Sequence, residues 1–461
     1  MGGEHGAEQS VHAARFTARG MPGYYFRLAV RSFRRSKALT ALIVVLMGCG
    51  VAICMVTWAV FRATAADPIP WKSSQLFVPQ IDNFGPAHNY QGKPPDLLNY
   101  TDAMALLRAH QARRQSLLYA IRLSVVPDEQ QRQPFSLPGD AVSSDFFAMF
   151  DVPFRYGSGW STADDDQRTS VVVISDALNQ QLFGGANSVG REITLDTHSY
   201  RIVGVLGDWN PRPRFFDMSS SGYPFSNPGQ IYIPFSRAVD LQKSTSGSTL
   251  CSGDGSNPVT AGWDAFLHGE CGWIDAWVEL PAPADAEHYR QYLSNYAAEQ
   301  QRLGRFAWPP NVRLRNVVQW LDVERVVPKA SKLSLIVSFS FLLICLVNAV
   351  GLLLALFMRR APEIGVRRAL GASRRAIYQQ FLIEAATIGL GGGALGLALT
   401  CVGMKGVGLV FEPQIAELAQ LDGSLMLVTL LVAIAATVIA AFYPTWRATQ
   451  VQPAWQLKSN G

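Results

Sequence analysis

Residues 358–375 read MRRAPEIGVRRALGASRR, a short basic stretch between two long apolar runs. The run before it covers residues 334–357, and the run after it covers residues 377–402. Each run reaches the roughly 20 residues that a helix needs to cross about 30 Å of hydrocarbon. The basic stretch therefore predicts a helix that lies at a membrane surface between two membrane spans.

Two further runs are long and nearly uncharged, at residues 38–61 and 424–443. Together the four runs predict an α-helical membrane protein with four transmembrane helices. A cleaved signal peptide or a lipidation site at Cys49 is a weaker alternative for the first run, because that run far exceeds the roughly 7–15 apolar residues of a signal sequence. Residues 63–330 lie between the first and second runs and predict a large inserted domain.

Lys and Arg residues are distributed unevenly among the connecting segments. Seven precede the first run, and six arginines lie between the second and third runs against one acid, Glu363. The segment after the third run has one base, Lys405, and three acids. Because cytoplasmic loops are enriched in Lys and Arg, both termini and the basic stretch are expected in the cytoplasm. The inserted domain is then expected on the other side of the membrane.

Strand-like and helical stretches alternate in the inserted segment and predict a mixed α/β domain. The strand-like runs are residues 117–126, 170–174, 200–206, 231–235, 273–280 and 312–317, and the helical stretches are 101–110, 143–150, 175–183 and 285–302. Ser175 is a plausible N-cap for the third helix, and Gly184 follows its last turn. Apolar residues at helical spacing then predict a stalk helix leading into the second span, which Pro328 should bend or restart.

Six cysteines divide between the spans and the inserted domain. Four lie in the apolar runs, and Cys251 and Cys271 are the two in the inserted segment. An oxidising compartment would pair these two as a disulfide. The alternative is a metal site that adds His268 and Glu270, although the spacing does not match a zinc pattern.

No stretch matches the phosphate-binding pattern G-x-x-x-x-G-K-[ST], and the seven histidines are scattered without ligand-like pairs. The acidic triplet at residues 164–166 could attract a cation, but a solvated turn is the simpler interpretation. No nucleophile lies in a recognisable arrangement with a base. We therefore predict that this chain is not an enzyme and has neither a metal site nor a cofactor of its own.

The third apolar run contains small residues at a four-residue spacing, Gly389 with Gly393 and Gly392 with Gly396. Such spacing lets helix backbones approach closely in lipid, so we predict helix packing at these positions. The packing partner is either another span of this chain or a second subunit. Asn348, in the second run, should face a neighbour rather than lipid, as a structural hydrogen bond or, alternatively, in transport.

Three parts of the chain resemble the MacB/FtsX/LolC-like permeases of ATP-binding cassette systems. The first is APEIGVRRALGASRRAIYQQFLIEA at residues 361–385, which resembles the cytoplasmic loop of that family and the start of its third span. The second, residues 140–160 and 169–209, is similar to the family's periplasmic core domain, and the third is AAFYPTWRATQVQPAWQLK at residues 440–458. The order of one span, a large domain and three spans also agrees.

The resemblance implies a coupling helix that docks on a separate ATPase subunit. Its residues would be Glu363, Ile364, Gly365, Val366, Arg367, Arg368, Leu370 and Gly371. Arg367 and Arg368 would pair with acids of the ATPase, and the apolar side chains would fill its groove. ATP and Mg²⁺ would be bound by that partner, which we expect to be separate because only some 37 residues precede the first span.

The resemblance further implies a dimer of permeases, identical or paralogous, over a dimer of ATPases in a bacterial inner membrane. Closure of the ATPases would move the periplasmic domains through the stalks. The most favoured function is efflux with a periplasmic adaptor and an outer-membrane channel. Two alternatives are a signalling permease that regulates a cell-wall hydrolase and a permease that releases lipoproteins.

Every part of the chain is expected to belong to one of eleven segments. The segments are a disordered cytoplasmic N-terminus at 1–22, an interfacial amphipathic helix at 23–37, the first span at 38–62, a periplasmic α/β domain at 63–316, a stalk helix at 317–333, the second span at 334–358, the coupling loop at 359–376, the third span at 377–402, a short periplasmic loop at 403–423, the fourth span at 424–446 and a cytoplasmic C-terminus at 447–461.

Overall fold

The computed structural model describes residues 36–450, except 90, 128–132, 222–223, 227–228, 253–261, 328 and 411–421. The predicted disordered N-terminus and nearly all of the predicted interfacial helix lie outside the described residues. So do most of the predicted loop at 403–423 and the last eleven residues of the C-terminus. The chain forms two compact units: Thr64–Val327 is one, and Met1–Ala63 with Pro328–Gly461 is the other.

The described helices and strands are numbered in chain order. The helices are α1 (Lys37–Thr64), α2 (Tyr100–Ala109), α3 (Phe146–Met149), α4 (Thr162–Asp166), α5 (Asp176–Phe183), α6 (Met218–Ser221), α7 (Phe235–Asp240), α8 (Trp263–His268), α9 (Pro283–Arg302), α10 (Val317–Val323), α11 (Lys329–Met358), α12 (Ala361–Ala369), α13 (Arg374–Val410) and α14 (Gly423–Thr449). The strands are β1 (Leu76–Ile81), β2 (Arg114–Val126), β3 (Phe135–Val142), β4 (Phe154–Gly157), β5 (Val171–Ile174), β6 (Glu192–Leu195), β7 (His198–Leu206), β8 (Ile231–Pro234), β9 (Asp275–Glu279) and β10 (Val312–Asn316).

Four described helices are long and apolar enough to cross a membrane: α1, α11, α13 and α14. The predicted architecture, with four spans and a large mixed α/β domain between the first and second, is confirmed. All four helices are longer than their apolar runs. Helix α13 begins at Arg374, and α14 continues past Pro444 to Thr449.

The glycines of α13 pack against two different spans of the same chain. A Cβ atom on Gly393 would lie 2.8 Å from Leu430 Cδ1 in α14, and one on Gly389 would lie 3.0 Å from the Ile434 Cα. One on Gly396 would lie 3.3 Å from the carbonyl oxygen of Gly48 in α1, and one on Gly392 would lie 3.4 Å from the Met47 Cβ. The close approach therefore joins α13 to α14 on one face and to α1 on another.

Asn348 lies off the buried face of α11. The buried face of α11 is formed by Cys345, Ala349, Leu353 and Leu356. Asn348 precedes Ala349 by one residue, about 100° around the helix, and its side chain is exposed on the single chain. The prediction that Asn348 faces a neighbour rather than lipid therefore requires a neighbour other than the described helices of this chain.

The inserted unit is built on one mixed sheet of ten strands. Its strand order is β10-β1-β9-β2-β3-β8-β5-β7-β4, and β6 pairs with β2 and β7. Most pairs are antiparallel, but β3 with β8 and β5 with β7 are parallel. The first and last strands of the unit are neighbours, with Phe77 opposite Asn316 and Ile81 opposite Val312. The chain therefore enters and leaves the sheet at the same edge.

The predicted strands agree with β2, β5, β7, β8, β9 and β10. The strands that the pattern missed are β1, β3, β4 and β6, which are short or carry Pro, Gly or charged residues. The predicted helix at 143–150 is reduced to the single turn α3. Ser175 caps α5 by accepting a hydrogen bond from the Leu178 amide, and Gly184 ends it with φ +63°.

Residues 317–333 do not form one continuous stalk helix. Helix α10 ends at Val323, and Arg325 has φ +53°, a left-handed conformation that a helix cannot continue through. The next helix, α11, begins at Lys329. The two compact units divide at the same place, between Val327 and Pro328.

An arginine is buried with two carboxylates in the core of the inserted unit. The Arg214 Nη2 lies 2.6 Å from Asp217 and 3.1 Å from Asp140, and both carboxylates are fully buried. Burial raises the pKa of Asp140 and raises that of Asp217 to about 7, although Arg214 opposes both shifts. The Arg214 guanidinium therefore interacts with two carboxylates, and Asp217 takes up a proton near neutral pH.

We expect the unfolding of this unit to depend on pH through Asp217. Because burial raises the pKa of Asp217 in the folded state, the folded state binds the Asp217 proton more tightly than the unfolded state does. The stability that comes from this proton is full below about pH 4 and is lost as the pH rises toward 7. Asp217→Asn should therefore flatten the fall in unfolding temperature between pH 5 and pH 8, measured in detergent. Asp208→Asn, an exposed acid nearby, is the control. An unchanged pH slope in Asp217→Asn contradicts the assignment.

The structure joins Cys251 and Cys271, the pair predicted from the sequence, by a disulfide. Leu250 and Gly272, beside them, exchange backbone hydrogen bonds of 2.8 and 2.7 Å. The alternative metal site is not formed, because the two thiols are bonded. The Glu270 carboxylate also binds Arg305 at 2.8 and 2.9 Å.

Peptide mass mapping of the native chain without reductant should recover the peptides of Cys251 and Cys271 joined. A bridge over this separation of 20 residues stabilises a domain by about 3 kcal/mol in the chain-entropy model. Reductant should therefore lower the unfolding temperature of the native chain and leave that of the double Cys→Ser variant unchanged. Recovery of two free thiols would refute the bridge.

Candidate functional site

The basic stretch between the second and third spans forms α12, a helix of nine residues. Pro362 lies in its first turn, where a missing amide hydrogen costs nothing. Glu363 binds Arg367 across one turn at 2.6 Å. Gly371 follows the helix with φ +97°, which turns the chain toward α13.

The inner face of α12 packs into the core of its own unit. Ile364 is 4% exposed and belongs to a cluster that includes Phe357 and Phe381. Gly365 is also buried. The prediction that Ile364 contacts an ATPase is therefore wrong for this structure, because its side chain holds α12 against α11 and α13.

The outer face of α12 combines apolar and charged groups. Leu370 is 83% exposed and Val366 is 58% exposed. The side chains of Glu363 and Arg367 are 47% and 36% exposed beside them. Two large apolar side chains displayed next to an ion pair are typical of a surface that another protein covers.

A buried ion pair fixes the start of α12. The Arg360 Nη1 donates to both oxygens of Glu384 in α13, at 2.7 and 2.9 Å. The Glu384 side chain is 2% exposed and that of Arg360 is 19% exposed. Glu384 was not singled out by the sequence reasoning, although it is the only acid in the 377–402 run, and that isolation was the available signal.

Two further arginines tie α12 to the spans. Arg367 donates to the Gln380 side chain of α13 at 2.9 Å, and Arg368 donates to the Thr449 carbonyl of α14 at 3.4 Å. Arg367 and Arg368, predicted to bind acids of a partner, therefore also have internal partners. A displacement of α12 is resisted by contacts to both neighbouring helices.

Among the described residues, no group of three or more His, Cys, Asp or Glu side chains is placed to hold a metal ion. The acidic triplet forms most of α4. Asp164 makes a capping box with Ser161, and Asp165 accepts a hydrogen bond from the Ser144 amide at 2.6 Å. The carboxylates of Asp164 and Asp165 therefore stabilise the local backbone.

Two family models cover most of the chain. The MacB-like periplasmic core domain matches residues 38–296, more than half of the chain, and the FtsX-like permease C-terminal domain matches residues 335–453. The chain belongs to the MacB/FtsX-like permease family. It is a multi-pass membrane protein of the ABC transporter permease class.

Similar proteins include exporters and permeases of bacteria. The pyoverdine export ATP-binding/permease protein PvdT of Pseudomonas aeruginosa is 27% identical over 69% of this chain and 42% of its own length. The macrolide export ATP-binding/permease protein MacB of Salmonella typhi is 24% identical over 57% of this chain and 34% of its own length. The uncharacterized ABC transporter permease YvrN of Bacillus subtilis is 24% identical over 69% of both chains.

This chain therefore spans about two-fifths of the length of PvdT and about a third of that of MacB. Among solved structures, the periplasmic region of MacB from Actinobacillus actinomycetemcomitans covers 54% of this chain and 92% of that structure. The identity is 13% and the TM-score is 0.34.

Breaking the Arg360–Glu384 pair should destabilise the membrane unit. Removing one partner of a buried pair leaves an uncompensated charge, at a cost of about 3 kcal/mol. Glu384→Ala and Arg360→Ala should each lower the unfolding temperature of the full chain in detergent by several degrees. The double variant should lose much less than the sum of the two. Additive losses, or no loss, would show that the pair makes no net contribution.

Proposed function

We propose that this chain is the transmembrane subunit that couples ATP hydrolysis by a partner ATPase to movement of its inserted α/β domain. The observation that carries the proposal is the outer face of α12, where Leu370 and Val366 are exposed beside charged groups. That face lies on a helix whose opposite side is buried among the spans. A protein docked there pushes on the spans directly.

The charge distribution supports one orientation of the chain in the membrane. The arginines of the basic stretch and the basic N-terminal segment lie in the cytoplasm under the positive-inside rule. The α/β domain then lies in the periplasm of a bacterium, with the spans in its inner membrane. The Cys251–Cys271 disulfide agrees with that oxidising compartment.

ATP and Mg²⁺ are bound by the partner in this proposal. The relatives PvdT and MacB carry "ATP-binding/permease" in their names and are longer than this chain. YvrN, of which this chain covers 69%, is named as a permease alone. Two permeases, identical or paralogous, act with two ATPases, and each α12 takes up the displacement of one ATPase.

The names of the relatives favour export as the purpose of the movement. PvdT is named for pyoverdine export and MacB for macrolide export. We therefore propose efflux from the periplasm with an adaptor protein and an outer-membrane channel. Purification of the crosslinked native complex distinguishes these functions. A co-purifying adaptor supports efflux. A cell-wall hydrolase would instead support the signalling permease, and a bound lipoprotein would support lipoprotein release.

Leu370→Asp is the sharpest test of docking at α12. The side chain is 83% exposed and makes few internal contacts, so the change should leave folding intact while placing a charge in the docking surface. The ATP hydrolysis that co-purifies with the chain should fall at least tenfold. Reversing Arg367 and Arg368 is less diagnostic, because both also bind groups of this chain.

Leu303→Asp provides the matched control, since Leu303 is 64% exposed and lies in the α/β domain. It should retain the co-purifying hydrolysis. The thermal unfolding of both variants in detergent should match that of the native chain. If Leu370→Asp keeps full hydrolysis, docking does not occur at this face.

A further inference from the structure

A cleft of about 580 Å³ opens in the α/β unit between two pairs of helices. Helices α2 and α8 pack together on one side, and α4 and α7 pack together on the other. The volume lies within the range of about 300–1,000 Å³ that is typical of small-molecule sites. The docking surface on α12 belongs to the other compact unit, so the cleft is a separate feature.

The floor of the cleft is apolar and partly aromatic. The name floor is used for the apolar part of the lining, formed by Tyr100, Met104, Leu107, Phe235, Val239 and Leu267, and uncharged polar residues such as Gln115, Ser143 and Ser236 line other parts of the cleft. The rings of Tyr100 and Phe235 stack with their centroids 6.5 Å apart and their planes 9° apart. Phe235 is nearly fully buried, which gives the floor a fixed shape. Such a floor accepts an aromatic or aliphatic group.

Charged groups of both signs surround this floor. Arg108 and His110 come from the end of α2, whereas Asp165 and Asp166 come from the end of α4. The nearby pair of Arg168 and Asp240 is mutually neutralised at 2.7 Å. Within the described part of the chain, the Arg108 and Asp166 side chains make no hydrogen bond or ion pair. Among the described residues of the rim, Arg108 is therefore a cation and Asp166 an anion without a partner in this chain.

Asp165 lies deeper than Asp166 and accepts the Ser144 amide hydrogen. Burial raises the pKa of Asp165 to about 6, with Asp166 adding a smaller increase. Perturbed acids that line a concave pocket are frequent in ligand sites. A cationic group placed beside this carboxyl would favour its ionised form, so the acidic side of the cleft favours a positive ligand end.

We propose that this cleft binds a small amphipathic zwitterion. Its apolar group lies on the floor, its cationic end lies toward Asp166, and its anionic end lies toward Arg108. An uncharged apolar ligand would leave both rim charges unused, and a simple cation would leave Arg108 unused. The proposal concerns equilibrium binding and does not depend on coupling to an ATPase.

Isothermal titration calorimetry on the full chain in detergent tests the site, with the dipeptide Phe-Leu as the probe. We expect saturable binding of free Phe-Leu. Acetyl-Phe-Leu lacks the cation and Phe-Leu-amide lacks the anion, so each should bind at least fivefold more weakly. Gly-Gly, which keeps both charges without the apolar groups, should bind at least tenfold more weakly.

Variants at the rim test whether the ligand binds in the cleft rather than to detergent or to another surface of the chain. Arg108→Ala should weaken the binding of free Phe-Leu at least fivefold and leave the affinity for Phe-Leu-amide unchanged. Asp166→Ala should also weaken the binding of free Phe-Leu at least fivefold, and it should leave the affinity for acetyl-Phe-Leu unchanged. Arg122→Ala and Asp208→Ala, which alter exposed charges outside the cleft, should bind like the native chain. Absence of saturable binding, or equal binding of all the dipeptides, overturns the proposal.

Discussion

The ion pair between Arg360 and Glu384 fixes the helix that joins the second and third spans. A carboxylate that is 2% exposed among membrane helices is costly unless it is neutralised, and both of its oxygens accept from one guanidinium nitrogen. Arg360 immediately precedes α12, and Arg367 binds α13 near the other end of that helix. Helix α12 is thus held to α13 at two points, so a force on its outer face passes to the span rather than bending a loop.

Strand pairing and ion pairs hold together the edge of the α/β unit at which the chain enters and leaves. Strands β1 and β10 pair there along five residues each, next to β9. Glu279, at the end of β9, is fully buried and binds Arg114 at 2.7 Å, with Lys72 at 3.9 Å. Lys72 lies just before β1 and also binds Asp151 at 2.9 Å. These contacts tie the segment that precedes β1 to the edge of the sheet.

The outer face of α12 shows how far sequence reasoning reached and where it failed. Charge, Pro362 and Gly371 were sufficient to predict a short helix between two spans. The three apolar positions were assigned to one partner, yet Ile364 and Val366 are two residues apart and so lie on nearly opposite faces of a helix. The face with Ile364 packs against the spans, whereas the face with Val366 and Leu370 is exposed. Asn348 lies off the buried face of α11 for the same reason, because helical phase, not residue type, decides which side is buried.

The sequence by itself determined the four spans, the inserted mixed α/β domain and the cysteine pairing, because hydrocarbon thickness, strand periodicity and the count of two cysteines in one segment are local or compositional properties. Only the tertiary structure brought Arg360 to Glu384, or placed the end of α2 across a cleft from the end of α4. Each arrangement joins residues 24 or more positions apart in the chain. Their distance depends on packing of the whole unit, which no local pattern in the chain encodes.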